Sequence, residues 1–72
     1  MDPKLGKFYY IDYTDHEQPE GSFFGIARCI KIHEFDEKGN PINPKLYEFE
    51  HEKDGKLWAS LFYANEVVME AK

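Results

Sequence analysis

Residues 46–63 read LYEFEHEKDGKLWASLFY, and this stretch decides the fold. Apolar and polar residues alternate on both sides of Asp54-Gly55, which is the pattern of strands with one buried face. Asp-Gly is favoured in two-residue hairpin turns because both central residues need positive φ. The stretch therefore predicts a β-hairpin with strands over 46–52 and 57–63. A helix over 57–68 is the alternative, and the hairpin turn before it argues against it.

A two-residue turn also fixes the register of this hairpin. Tyr47 then faces Phe62, and His51 faces Trp58. One face is aromatic, and the other carries the acidic stripe, which consists of Glu48, Glu50 and Glu52. We expect the aromatic face to be the core because three neighbouring carboxylates must be hydrated. The predicted core residues of the hairpin are Tyr47, Phe49, His51, Trp58 and Phe62.

Three further stretches predict strands, at 8–14, 23–35 and 67–70, because they are rich in aromatic and β-branched residues. Turn-forming residues predict loops at 15–22 and 36–44. Gly25 is expected to mark a bulge in the long second strand. Five short strands with loops of unequal length predict an all-β fold, a small five-stranded barrel that forms a single domain over residues 1–72.

Composition narrows the class of protein. The chain has 72 residues, too few for a deep catalytic cleft, and its 42% hydrophobic content is too high for a disordered tail. Its single cysteine excludes an internal disulfide and fits a reducing compartment. No apolar run reaches the ~20 residues of a membrane span, and the first residues do not form a signal peptide. We expect a cytoplasmic, acidic domain that does not contact membranes.

Two motifs carry a resemblance to a known family. The segment Leu61-Phe62-Tyr63-Ala64-Asn65-Glu66-Val67 resembles the closing motif of SH3 domains, and Tyr10-Ile11-Asp12-Tyr13 resembles their opening Leu-Tyr-Asp-Tyr. The resemblance implies an SH3-like barrel with a short 3₁₀ turn before its last strand. Residues 14–22 would then be the RT loop, residues 36–45 the n-Src loop and residues 53–56 the distal hairpin.

The sequence departs from SH3 domains at the groove that binds polyproline peptides. Ile11 replaces the first tyrosine, Tyr63 stands in place of the groove proline, and Glu66 in place of the groove tyrosine. The strand that begins with Leu46-Tyr47 lacks the groove tryptophan. The resemblance therefore supports the barrel and argues against ordinary PxxP binding.

Catalytic and metal-binding residues are sparse. Cys29 and His33 lie four residues apart on one predicted strand, which predicts a common face but a separation of about 13 Å. His51 lies on the next strand, and no close Cys or His pair has zinc-ligand spacing. We expect a packed thiol at Cys29 and surface imidazoles at His33 and His51. The prediction is a non-enzymatic protein without metal or other cofactor.

Direct binding of nucleic acid is also disfavoured. Exposed aromatic side chains can stack on bases, but single-strand binding also needs a basic groove. The lysines are interrupted by acidic residues, and the net charge is −5. Phosphates are therefore poor partners for this chain.

Acidic residues of the first long loop provide the main functional hypothesis. Asp15, Glu17 and Glu20 occupy the position of the SH3 RT loop, whose acids meet Arg or Lys of a partner. The resemblance brings Tyr13, Tyr63 and Glu66 to the same side. The predicted function is an interaction module that binds a protein with a basic surface, with these six residues as the contact set.

Two other interpretations of the acidic residues stay open. The chain could be an acidic inhibitor or nucleic-acid mimic, of the kind that phages and mobile elements encode, that blocks a nucleic-acid-binding protein. In that case the acidic stripe would act, because alternate strand residues repeat every ~6.6 Å, close to the ~7 Å between two phosphate steps. A purely solubilising role for both acidic surfaces is the remaining interpretation.

Overall fold

The computed structural model describes residues 2–71 and is all-β, which confirms the predicted fold class. Its strands are β1 (Phe8–Tyr13), β2 (Phe23–Phe35), β3 (Pro41–Lys53), β4 (Lys56–Tyr63) and β5 (Val67–Glu70). Two 3₁₀ turns, Pro19–Gly21 and Ala64–Glu66, lie before β2 and β5. The second stands where the SH3 resemblance implies a 3₁₀ turn. Within the described residues no helix is long and apolar enough to cross a membrane.

All five strands form one antiparallel sheet in the order β4-β3-β2-β1-β5. β4 and β5 are the two edges, and within residues 2–71 no pairing joins them. The sheet is therefore not closed into a barrel. This open edge leaves the outer side of β4 without a neighbouring strand.

The hairpin of β3 and β4 has the register that the Asp-Gly turn predicts. Tyr47 pairs with Phe62, and His51 pairs with Trp58. Asp54 and Gly55 have φ angles of 54° and 75°, as a type I′ turn requires. The local turn chemistry thus places every side chain of the hairpin on its predicted face.

The second loop is shorter than predicted, because β3 begins at Pro41 and not near residue 46. Asp36 closes the loop within five residues. Its Oδ1 accepts hydrogen bonds from the N–H groups of Lys38 and Asn40, and its own N–H donates to the Asn40 carbonyl. Pro41 then pairs directly with Phe35 at the end of β2. The two prolines of this segment therefore lie in a strand.

β2 has no bulge at Gly25, where the register with β1 is regular. Its register with β3 shifts between Cys29 and Lys31, where β2 has an extra residue, and between His33 and Phe35, where the extra residues lie on β3. The first bulge shifts the alternation of side chains by one residue. Cys29 pairs with Phe49 on the core side, whereas His33 Nε2 reaches Glu48 Oε1 at 2.9 Å on the outer side. The expected common face of Cys29 and His33 is therefore wrong.

One face of the sheet holds the core. Its buried hydrophobic residues are Tyr9, Ile11, Ala27, Cys29, Tyr47, Phe49, Phe62 and Val67. His51 is also buried, as its place on the predicted core face requires, so the expectation of a surface imidazole at this position is wrong. Trp58, predicted in the core, is half exposed. It lies on the edge strand, where its Nε1–H donates to the Lys53 carbonyl and no further strand covers its ring.

Candidate functional site

Tyr13, at the end of β1, is the centre of the predicted contact set. Its ring packs edge-on against Phe62, with ring centroids 5.5 Å apart. The negative charge of Asp15 raises the pKa of the Tyr13 phenol above its usual value, and partial burial and the charge of Glu66 add to the effect. The fold therefore brings two carboxylates towards one half-buried aromatic ring. We call Tyr13, Asp15 and Glu66 the Tyr13 cluster.

The loop of residues 14–22 holds Asp15 in a fixed orientation. Asp15 Oδ1 accepts hydrogen bonds from the N–H groups of Glu17 and Gln18, both at 3.0 Å. The Asp15 N–H donates to Ser22 Oγ at 2.8 Å, which closes the base of the loop. These bonds make an Asx turn, the local structure for which aspartate is selected in loops. Glu17 projects from this turn and is exposed.

The Ala64–Glu66 turn supplies the second carboxylate of the Tyr13 cluster. Glu66 Oε1 accepts a hydrogen bond of 2.8 Å from the N–H of Tyr63, so the carboxylate is held over the start of the turn. The ring of Tyr63 is exposed, but this residue pairs with Leu46 and lies on the outer side of the sheet by strand alternation. The backbone of Tyr63 therefore belongs to the site, and its ring does not pack on Tyr13.

Glu20 lies on the other side of the same loop, beside a cation. Lys53 Nζ donates to the carbonyls of Glu20 and Ser22 at 2.9 and 3.4 Å, which ties the loop to the β3–β4 hairpin. The positive charge of Lys53 reduces the negative potential at this end of the loop. Of the six predicted contact residues, the structure thus gathers Tyr13, Asp15 and Glu66 and keeps Glu17 nearby. It turns the Tyr63 ring to the outer side of the sheet and places the Glu20 carbonyl against Lys53.

The acidic stripe on β3 has a different electrostatic environment. Glu48 is hydrogen-bonded to His33, and Glu50 forms an ion pair of 3.3 Å with Arg28. Within residues 2–71, Asp15, Glu17, Glu20 and Glu66 form no ion pair with any Lys, Arg or His side chain. The loop carboxylates are therefore better placed than the acidic stripe to receive a cation from outside the molecule.

A cleft of about 290 Å³ separates the loop from the hairpin. It is lined by Glu20, Gly21, His51, Lys53, Asp54 and Trp58. The His51 ring stacks on Phe23 at a centroid distance of 4.0 Å, and its Nε2 shares a hydrogen bond of 3.1 Å with Ser60 Oγ. Its Nδ1 is buried without a partner in the described residues. The sequence indicated an inward His51 through its alternation with Tyr47 and Phe49, but it did not indicate this cleft.

Burial of His51 gives the protein a testable pH dependence. Desolvation lowers the pKa of His51 below the usual histidine value of about 6.5, and the charge of Lys53 lowers it further. The unfolded chain therefore binds the proton more readily than the folded chain. The stability due to neutral His51 is fully present above about pH 6.5 and is lost as the pH falls towards the lower folded pKa.

We expect the urea concentration at the unfolding midpoint to decrease when the pH is lowered from about 7 to about 5. In His51→Phe, which keeps an aromatic ring against Phe23, part of this fall should disappear. His16 and His33 are present in both proteins, so the difference between the two pH profiles isolates His51. Identical profiles for wild type and His51→Phe would show that the proton on His51 has no effect on folding.

Cys29 and the histidines do not form a metal centre. Within residues 2–71 no three His, Cys, Asp or Glu side chains come together as ligands. The Cys29 thiol is fully buried, and desolvation raises its pKa, so it is held in the unreactive protonated form. The described residues thus offer no metal ligand set and no activated thiol.

Comparisons with protein-family models, with curated proteins and with solved structures find no match for this chain. Its function must therefore be argued from its own residues.

Proposed function

We propose that the protein is a non-enzymatic interaction domain that binds a basic protein surface through the Tyr13 cluster. The observation that supports this most is the position of Asp15 and Glu66 beside one accessible aromatic ring, with no ion pair to either carboxylate in the described residues. An Arg side chain can stack on such a ring while its guanidinium donates to the carboxylates. Arg is thus the preferred contact residue of the partner.

The loop is well suited to this role because its geometry is set before binding. Hydrogen bonds to Asp15 Oδ1, to Ser22 Oγ and from Lys53 hold the loop in the free protein. A pre-ordered loop loses little conformational entropy when a partner arrives. Exposed Glu17 and the net charge of −5 contribute long-range attraction, which raises the association rate at low salt.

The proposal is tested with two double variants that remove the same charge from different surfaces. Asp15→Asn/Glu66→Gln neutralises the Tyr13 cluster and keeps the oxygens that accept backbone hydrogen bonds. Glu48→Gln/Glu50→Gln neutralises the acidic stripe. The probe is a tetra-arginine peptide, titrated into isotope-labelled protein and followed by NMR. We expect the first variant to weaken binding at least about fivefold and the second less than about twofold, since an exposed charge contact contributes up to ~1 kcal/mol.

Chemical-shift changes in the wild type should centre on Tyr13 and on the backbone of residues 14–17 and 63–66. Tyr13→Leu should also weaken binding, because the aliphatic side chain has no aromatic face for the guanidinium. Equal weakening by the two double variants would mean that the peptide senses only net charge, and this result would overturn the proposed site.

An inhibitor that mimics nucleic acid is the second candidate. The regular spacing of Glu48, Glu50 and Glu52 along β3 supports it. His33 and Arg28 already partner two of these carboxylates, which weakens their attraction for an external basic groove. Stronger weakening by Glu48→Gln/Glu50→Gln than by the cluster variant would favour this candidate. For either function we propose that the protein does not bind nucleic acid directly, because Lys45 is paired with Glu34 and Lys53 is engaged by the loop.

An SH3-like architecture is proposed for the chain as a whole. The RT-like loop, the two-residue hairpin turn and the 3₁₀ turn before β5 occur in the order that the resemblance implies. Buried Ile11 stands where a groove tyrosine would be exposed, which supports a binding mode other than polyproline recognition.

A further inference from the structure

We propose that two copies of the chain associate through the exposed edges of their β4 strands, antiparallel about a two-fold axis at Ala59. This inference does not rest on the proposed function, although its charge argument uses Glu66 of the Tyr13 cluster. It rests on three features of β4: its unpaired backbone groups, its apolar composition and the distribution of charge at its ends.

The turn geometry shows which backbone groups of β4 face outward. Lys53 and Lys56 flank a two-residue turn, so they form a hydrogen-bonded pair, and such pairs alternate with non-hydrogen-bonded pairs along the hairpin. The N–H and C=O groups of Leu57, Ala59 and Leu61 therefore point away from β3. Within residues 2–71 none of these groups has a backbone or side-chain partner.

The outward row ends at Tyr63, whose N–H donates to Glu66 Oε1. The opposite sheet edge is less suited to pairing, because β5 has only four residues and its Glu70 forms an ion pair with Lys7. β4 has eight residues and no carboxylate, and its side chains Leu57, Trp58 and Leu61 are exposed. A long, apolar, uncovered edge of this kind is a template for another strand.

β4 is complementary to itself when Ala59 lies opposite the partner's Ala59. In this register Leu57 lies opposite the partner's Leu61 on the outer face. The outward N–H and C=O groups of these residues and of Ala59 can then form hydrogen bonds with the partner strand. Trp58 lies opposite the partner's Ser60 on the inner face. No two like charges face each other along the paired strands.

Charge also favours the antiparallel arrangement. Lys56, at the start of β4, lies opposite the partner's Phe62 and close to the partner's Ala64–Glu66 turn. Glu66 in that turn has no ion pair in the described residues. Each copy therefore offers a cation at one end of the strand and an anion at the other, although the net charge of −5 opposes association elsewhere.

The dimer should be weak. Interfaces bury about 30–40 Å² per contributing residue, so eight strand residues supply about 300 Å² per copy against about 800 Å² in a standard interface. We expect dissociation constants on the order of 100 μM to 1 mM, so dimers are negligible at low micromolar protein concentrations.

Sedimentation velocity from about 10 μM to about 1 mM tests the inference. Wild type should sediment increasingly as a dimer. Leu57→Lys/Leu61→Lys should raise the dissociation constant at least about tenfold, because each introduced ammonium group faces another across the axis. The same substitutions suit the monomer, since Leu57 pairs with Glu52 and Leu61 with Glu48.

Two further variants make the result specific. Phe24→Lys changes an exposed apolar residue of the outer face far from the edge, next to Asp12, and should leave association unchanged. Ala59→Pro removes one outward N–H and should block association while circular dichroism shows a folded sheet, because prolines are tolerated on strand edges. Should Ala59→Pro fail to fold, the lysine variant decides alone.

A trapping experiment gives the register directly. Ala59→Cys should form an intermolecular disulfide on mild oxidation, because residues facing each other across paired strands lie within disulfide range. Native Cys29 is buried and does not compete. A wild type that stays monomeric at about 1 mM, or association abolished by Phe24→Lys but not by the edge variants, would overturn the inference.

Discussion

Replacing Phe62 with alanine is expected to lower the free energy of unfolding by about 3–5 kcal/mol, the usual effect of truncating a buried phenylalanine. Phe62 is 3% exposed, and its ring lies 5.5–6.5 Å from four other aromatic rings. These neighbours are Tyr13, Phe23, Phe49 and His51. They come from three different strands, so the resulting cavity would loosen the contacts between those strands.

A domain of this size has little stability to lose. Phe62→Ala should therefore lower Tm by more than about 10 °C or leave the chain unfolded at room temperature. Thermal and urea unfolding followed by circular dichroism measure the effect. An unchanged Tm would mean that Phe62 is not part of the core and that the hairpin register is wrong.

Trp58 provides the matched control on the same strand. It is larger than Phe62 but 51% exposed, and its main polar contact is a hydrogen bond of 3.2 Å to the Lys53 carbonyl. Trp58→Ala should reduce stability by about 1 kcal/mol, the typical net contribution of one hydrogen bond with limited apolar contact. The contrast tests burial directly, because the two residues share a strand and a face.

The different environments of these two residues show how far the sequence could predict this fold. Side-chain alternation and the Asp-Gly turn are local signals, and they placed both residues on the core face correctly. Whether a residue on that face is covered depends on what packs above it. At Trp58 the sheet ends, and this is a property of the strand order that no local pattern encodes.

The register of β2 was beyond prediction for a related reason. A bulge is one extra residue in one of two paired strands, so it can be recognised only when the two strands are aligned with each other. The shift after Cys29 turns His33 to the outer side, where it meets Glu48. That hydrogen bond occupies one carboxylate of the acidic stripe, so a small change of register bears directly on the choice between the two functional hypotheses.

The candidate site was predictable in composition but not in geometry. Acidic residues in a turn-rich loop after an aromatic strand indicated Tyr13 and Asp15, and the resemblance added Glu66. The cation beside Glu20 was not predictable, because the contact between Lys53 and the loop carbonyls joins residues more than thirty positions apart. Long-range contacts of this kind require the folded structure.

Gly25 leads to the second large effect on stability. Its φ is +156°, in a region that is essentially restricted to glycine, and a Cβ added there would lie 3.3 Å from Cζ of the Phe23 ring. That ring stacks on His51 and also packs against Phe62. Gly25→Ala should therefore lower the free energy of unfolding by about 1–3 kcal/mol through backbone strain, and by more if the ring must move.

Gly39→Ala separates the effect of backbone strain from the effect of the contact with the Phe23 ring. Gly39 also has a positive φ, +83°, but a Cβ at this position would meet no atom within 4 Å. Both substitutions stiffen the unfolded chain to a similar extent, so that contribution cancels in the comparison. We expect Gly25→Ala to be the more destabilising in urea unfolding and to shift the NMR resonances of the His51 ring, which Gly39→Ala should leave in place. If the two variants lose equal stability and the His51 resonances do not move, the added methyl group does not displace the Phe23 ring, and backbone strain alone accounts for the loss of stability.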